Sequence, residues 1–110
     1  MIFELRTYTL HPGKLAEYWR AYEEGGLAAQ DPRLRNHLLG YFQTELGPLN
    51  QVIHFWKYAA LAERQAVRGA NVARADWQAH LARIRPLMQA QEAKILVPSP
   101  VPGMSPLADG

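Results

Sequence analysis

Residues Ile2 to Leu10 alternate in pattern and are rich in Phe, Thr, Tyr and Ile, which predicts a β-strand. Alternation puts Phe3, Leu5, Thr7 and Thr9 on one face and Ile2, Glu4, Arg6, Tyr8 and Leu10 on the other. After Pro12-Gly13 the period changes: Leu15, Tyr18, Trp19 and Tyr22 fall at i, i+3, i+4 and i+7, an amphipathic helix that Gly25-Gly26 should end. Leu27 to His37 reads as irregular, with a turn or a new helix start at Asp31-Pro32. Two further strands follow, Leu38 to Glu45 and Gln51 to Tyr58; Gly47, Pro48 and Asn50 supply the turn of an antiparallel hairpin. In the second of these, Ile53 and Phe55 share one face and Val52, His54, Trp56 and Tyr58 the other.

Ala59 to Arg85 is helical in composition, with an interruption expected at Gly69-Ala70-Asn71. Its later half carries the stripe Ala73, Trp77, Leu81 and Ile84, and Pro86 closes it. Leu87 to Val97 is the last strand, with Glu92, Lys94 and Leu96 on one face and Ala93, Ile95 and Val97 on the other. The order strand, helix, strand, strand, helix, strand defines an α+β, ferredoxin-like βαββαβ sandwich over residues 1–97. Residues 98–110 hold four of the eight prolines and read as an extended C-terminal arm.

Right-handed crossovers put both helices on one sheet face. The Phe3 and Ile53 face is expected to meet them, with Ile53 and Phe55 as anchors. The face holding Tyr8, Leu10, Trp56, Tyr58 and Leu96 is then open and too apolar for water. A second copy would cover it, closing a dimeric α/β barrel.

Composition narrows the classes. The chain has 110 residues, 48% hydrophobic and 20% charged, with a formal net charge of +2 and no run of like charge, so neither nucleic acid nor a membrane is an expected partner. Cysteine is absent, which excludes disulfides, thiolate nucleophiles and cysteine-ligated metals. The opening M-I-F-E-L-R has no signal-like apolar run, and a cytoplasmic location is expected. The four histidines have no metal-ligand spacing, and no metal or cofactor is expected; haem would need one axial histidine, His80 or His54.

Between the two sheets the expected interior holds Arg6, Tyr8, Tyr41, His54, Trp56 and Glu92. His54 titrates near neutrality and is the candidate general acid or base, while Arg6 could hold a carboxylate or enolate oxygen. Tyr8, Tyr41, Trp56 and Glu92 would line a site for a small apolar or aromatic ligand. The alternative for each is structural: Arg6 in an ion pair with Glu4, Glu45 or Glu92, and His54 satisfied within a core. Trp19 and Trp77, on helix stripes, are expected to pack in the core.

Four segments carry a resemblance. E-L-R-T-Y-T-L-H-P-G-K at Glu4 to Lys14 and L-L-G-Y-F-Q-T-E-L-G-P-L-N-Q-V-I-H-F-W-K-Y at Leu38 to Tyr58 resemble the NIPSNAP family, as do Trp77-Gln78-Ala79 and Ile84-Arg85-Pro86-Leu87. The resemblance implies a ferredoxin-like subunit of the dimeric α/β-barrel group, whose wider membership includes cofactor-free monooxygenases and haem-degrading oxygenases. It carries over no catalytic residues. Animal members are mitochondrial and linked to vesicular transport and mitophagy signalling, roles that transfer poorly to one short domain without a transit peptide. Two functions follow as expectations: a homodimer with a small-molecule site, oxygenase-like in its chemistry, or a non-catalytic scaffold dimer with a filled barrel core.

Overall fold

The computed structural model describes residues 1–109. Strands β1 (Ile2–Leu10), β2 (Leu38–Gln43), β3 (Gln51–Tyr58) and β4 (Met88–Leu96) form one antiparallel sheet in the order β2-β3-β1-β4. Helices α1 (Leu15–Ala21), α2 (Leu27–Ala29) and α3 (Pro32–Arg35) connect β1 to β2; α4 (Leu61–Val72) and α5 (Ala75–Ile84) connect β3 to β4. This is the α+β, ferredoxin-like order that the alternation predicts.

The helices cover the face opposite to the expected one. Antiparallel partners share a face, so the register gives three rows beneath the helices. These are Leu38–Trp56–Glu4–Ile95, Tyr41–His54–Arg6–Ala93 and Gln43–Val52–Tyr8–Gln91. Glu4, Tyr8, Val52, His54 and Trp56 are buried within the single chain. Arg6, Tyr8, Tyr41, His54 and Trp56 therefore face helices rather than a space between two sheets. Leu5, Thr7, Ile53 and Phe55 point outward, and so does Glu92, which pairs with Thr7, and Leu96, which pairs with Phe3. The reason is electrostatic. A carboxylate and a guanidinium on one strand face ordinarily favour water, but Arg64 of α4 reaches the Glu4 carboxylate at 2.7 Å and makes its burial tolerable.

Smaller departures have local causes. The first helix does not stop at Gly25-Gly26; it widens into a π-helical turn, Tyr22–Gly26, and runs on through α2. Gly26 is needed there because a Cβ would lie 2.7 Å from His80 Nδ1. The break in the second helical region falls at Ala73 and Arg74, after Gly69, which is accommodated inside α4. The hairpin strand β2 ends at Gln43, short of Glu45, and a bulge at Leu39 puts Leu38 and Tyr41 on the same face.

Residues beyond Val97 do not extend away as an arm. They turn back over the outer sheet face, where Met104 and Leu107 join Phe3, Phe55 and Leu96 around a cavity of about 260 Å³. Lys57 Nζ donates to the Leu107 carbonyl at 2.7 Å, just inside the short α6 (Pro106–Asp109). The main core lies beneath the helices, where Tyr8, Leu10, Val52, Tyr18, Ala21, Ile84 and Leu87 pack together; Leu34, Trp56 and Tyr58 form a second cluster. No helix among the described residues is long and apolar enough to cross a membrane.

Candidate functional site

A cavity of about 340 Å³ opens between α1 with its π turn, the Gln30 to Arg35 segment, and β2. Trp19, Tyr22, Leu27, Leu38 and Tyr41 supply its apolar wall; Glu23, Gln30 and Arg35 supply polar groups. Local sequence explains each wall. The helical spacing of Trp19 and Tyr22 turns both toward the sheet, and the bulge in β2 brings Leu38 and Tyr41 to meet them. The third wall hangs on Asp31, whose side chain accepts from Arg33 N at 2.9 Å and caps α3. Its backbone N–H donates to the Asn71 side-chain oxygen at 2.7 Å, tying the segment to the end of α4. The Asp31 carboxyl is held down at about 2, chiefly by its hydrogen bonds to Arg33.

The cavity is fixed to the interior through Tyr41. The Tyr41 ring stacks on His54 at 4.2 Å, 5° from parallel, and its hydroxyl lies 3.2 Å from that of Tyr22. Trp19 is held by a 2.6 Å bond from its indole N–H to Gln43 Oε1. Burial, with Tyr22 and Tyr18 beside it, pushes the Tyr41 hydroxyl well above its ordinary range; burial also raises Tyr22. Both stay protonated at neutral pH and offer O–H groups.

His54 lies beneath this cavity and does not line it. It packs edge-on against Tyr8 at 4.8 Å, and its Nδ1 accepts from the Trp56 indole at 2.8 Å. Burial, then Arg6 and Arg68, lower its pKa to about 2. Arg6, opposite His54, donates Nε and Nη2 to the Tyr8 hydroxyl at 3.0 and 2.9 Å and Nη1 to Glu4 at 3.1 Å. Of the candidates from sequence, the structure thus brings together Arg6, Tyr8, Tyr41, His54 and Trp56. Glu92 stands apart on the outer face, 3.3 Å from Lys94. Trp77 is core, as expected, whereas Trp19 is half-buried and lines the cavity. Sequence reasoning missed Tyr22, Leu27 and Leu38. The signal available was the i, i+3 pair Trp19 and Tyr22, whose aromatic bulk exceeds what the edge of one small sheet can cover.

The fold and the cavity define a ferredoxin-like α+β domain with an aromatic-lined recess at one sheet edge. A solved antibiotic biosynthesis monooxygenase shares this fold with a TM-score of 0.63 at 14% identity, over 91% of this chain and 100% of that one; at such identity the likeness concerns the fold alone. The NIPSNAP family model matches residues 3–102, and the chain belongs to the NIPSNAP family. A solved NIPSNAP family protein from Agrobacterium tumefaciens is 41% identical with a TM-score of 0.84, covering 94% of this chain and 97% of that one. Mouse (Mus musculus) NipSnap homolog 2 is 32% identical over 97 residues, 88% of this chain and 34% of that protein. The chain thus spans about a third or less of the length of the first curated relatives it matches.

Proposed function

We propose that this NIPSNAP-family chain binds a planar apolar or aromatic small molecule in the recess over Tyr41, as a homodimer. The recess itself carries the reading: at about 340 Å³ it is within the size range of small-ligand sites and is walled mainly by aromatic and aliphatic side chains. A flat ring would stack against Tyr41 or Trp19, with its polar edge toward Gln30 and Arg35. His54 is buried against Tyr8, Tyr41 and Trp56, as a scaffold would require; the open recess one ring away favours binding.

Base-initiated, oxygenase-like turnover requires a proton acceptor near neutrality in contact with the ligand. His54, held near 2 and out of the recess, does not meet that requirement, and the raised Tyr22 and Tyr41 hydroxyls do not either. The proposal is therefore binding, without an assigned reaction. The dimer is supported by the outer sheet face, where Phe42 is 57% exposed beside half-buried Ile53 and Leu5. A second copy laid on this face would bury them symmetrically. Sedimentation equilibrium should give a dimer that Phe42→Glu dissociates, and a wild-type monomer would contradict it.

The binding test is a thermal-shift screen of phenols, quinones and fatty acids against wild type and Leu38→Trp, whose indole fills the recess. Saturable stabilisation of wild type that is lost in Leu38→Trp is the expected result. Equal shifts in both proteins would overturn the reading.

A further inference from the structure

The sheet face beneath the helices is covered unevenly. At the β2 edge it carries the recess, but at the β4 edge the helices leave it bare. Gln91, Ala93 and Ile95, which complete the three rows on β4, are all exposed. Beside this bare shelf stand three guanidiniums. Arg6 comes from β1, and Arg64 and Arg68 come from one face of α4 at i, i+4 spacing.

All three converge on one carboxylate, Glu4, which is fully buried. Its Oε2 lies 3.1 Å from Arg6 and 2.7 Å from Arg64, and its Oε1 lies 3.7 Å from Arg68. Among the described residues these three arginines have no other carboxylate partner within ion-pair distance, so the group carries a formal charge of +2. Glu63 is turned to His37 at 3.5 Å, and Glu92 is on the opposite face. Hydrogen bonding is incomplete as well: Arg64 Nε and Glu4 Oε1 are buried without a partner. The arginine side chains keep 14%, 20% and 22% of their surface. They are thus partly desolvated yet reachable, where an added charge is attracted more strongly than in water. Ala93, directly opposite Arg6, has no side chain long enough to fill the shelf.

We propose that the shelf between α4 and β4 is an oxyanion-binding site, in which Arg64 and Arg68 take the carboxylate or phosphate of a small ligand and Arg6, whose N–H groups are given to Tyr8 and Glu4, adds positive charge. A planar fork of N–H donors suits either group, and the excess positive charge supplies the attraction. The site is separate from the recess over Tyr41 and does not depend on the reading given to that recess.

Isothermal titration of the full chain with benzoate and with inorganic phosphate, at ionic strength matched with chloride, tests the site. One saturable site is expected for at least one of the two; tighter benzoate assigns a carboxylate ligand and tighter phosphate a phosphorylated one. Arg68→Gln should weaken that binding at least tenfold. As a second variant that does not remove a cluster residue, Ala93→Glu places a carboxylate on the shelf. It should raise the melting temperature and abolish the titration. Heats no larger than those of chloride, or unchanged affinity in both variants, would overturn the proposal.

Discussion

The indole N–H of Trp56 donates to Nδ1 of His54 at 2.8 Å, and that bond sets the state of the histidine. An indole N–H can only donate, so Nδ1 must accept, and the ring proton sits on Nε2. Protonating Nδ1 would break the bond inside a site already crowded by Arg6 and Arg68. The ring is therefore a neutral structural element over the physiological range. NMR of the imidazole nitrogens should show the Nε2–H tautomer from pH 8 to pH 5 with no titration.

The same shift sets a pH dependence. The folded pKa of His54, about 2, lies below its ordinary 6.5, so below 6.5 the unfolded chain binds a proton that the folded chain refuses. Stability should fall with pH by up to about 1.4 kcal/mol per unit, or about 2 kcal/mol between pH 7 and pH 5. His80, lowered by burial and then by Arg83, acts in the same direction. Urea unfolding at both pH values measures this, and a flat profile would contradict the buried neutral ring.

Glu4 tests the arginine cluster from the other side. Burial alone would raise its pKa, but Arg64, Arg68 and Arg6 outweigh this and lower it, so its contribution is present above pH 4.5 and lost as pH falls through the folded value. Glu4→Gln leaves three guanidiniums without a counter-charge and should cost about 3 kcal/mol. Added sulfate should recover part of that loss, as read from melting temperatures.

Much of the fold was legible from periodicity, because strands and helices announce themselves by spacing of 2 and 3.6. Which sheet face met the helices was not. Both faces of β1 mix polar and apolar side chains, and the deciding contacts come from Arg64 and Arg68, some 60 residues away from Glu4 in sequence. Alternation grouped Tyr41, His54 and Arg6 on one face, together with Glu92, which the register places on the other. Their pairing in one row, its burial under helices, and the recess beyond Tyr41 depended on strand register, a bulge and a π turn that carry no strong sequence signal.

The glycine pair at that turn should respond unequally. A Cβ at Gly25 meets nothing within 4 Å, whereas one at Gly26 strikes the His80 ring. Gly25→Ala should be neutral or stabilising by up to about 1 kcal/mol. Gly26→Ala should destabilise by about 1–3 kcal/mol and, by moving the turn, weaken ligand binding in the recess. Equal effects would contradict the packing of His80 described above.

The C-terminal segment should also act as a strap. Phe3 lies on the outer sheet face, is 6% exposed, and shares a cavity wall with Met104 and Leu107. Ending the chain at Val97 should cost about 2 kcal/mol by chemical unfolding. An unchanged midpoint would contradict the strap.

A co-crystal structure with the compound that gives the largest thermal shift tests the central claim most directly. The account predicts ligand density bounded by Trp19, Tyr22, Leu38 and Tyr41, with the Tyr41–His54 stack intact beneath it. Ligand density confined to the cavity by Phe3 and Leu107, with the recess over Tyr41 closed, would contradict it.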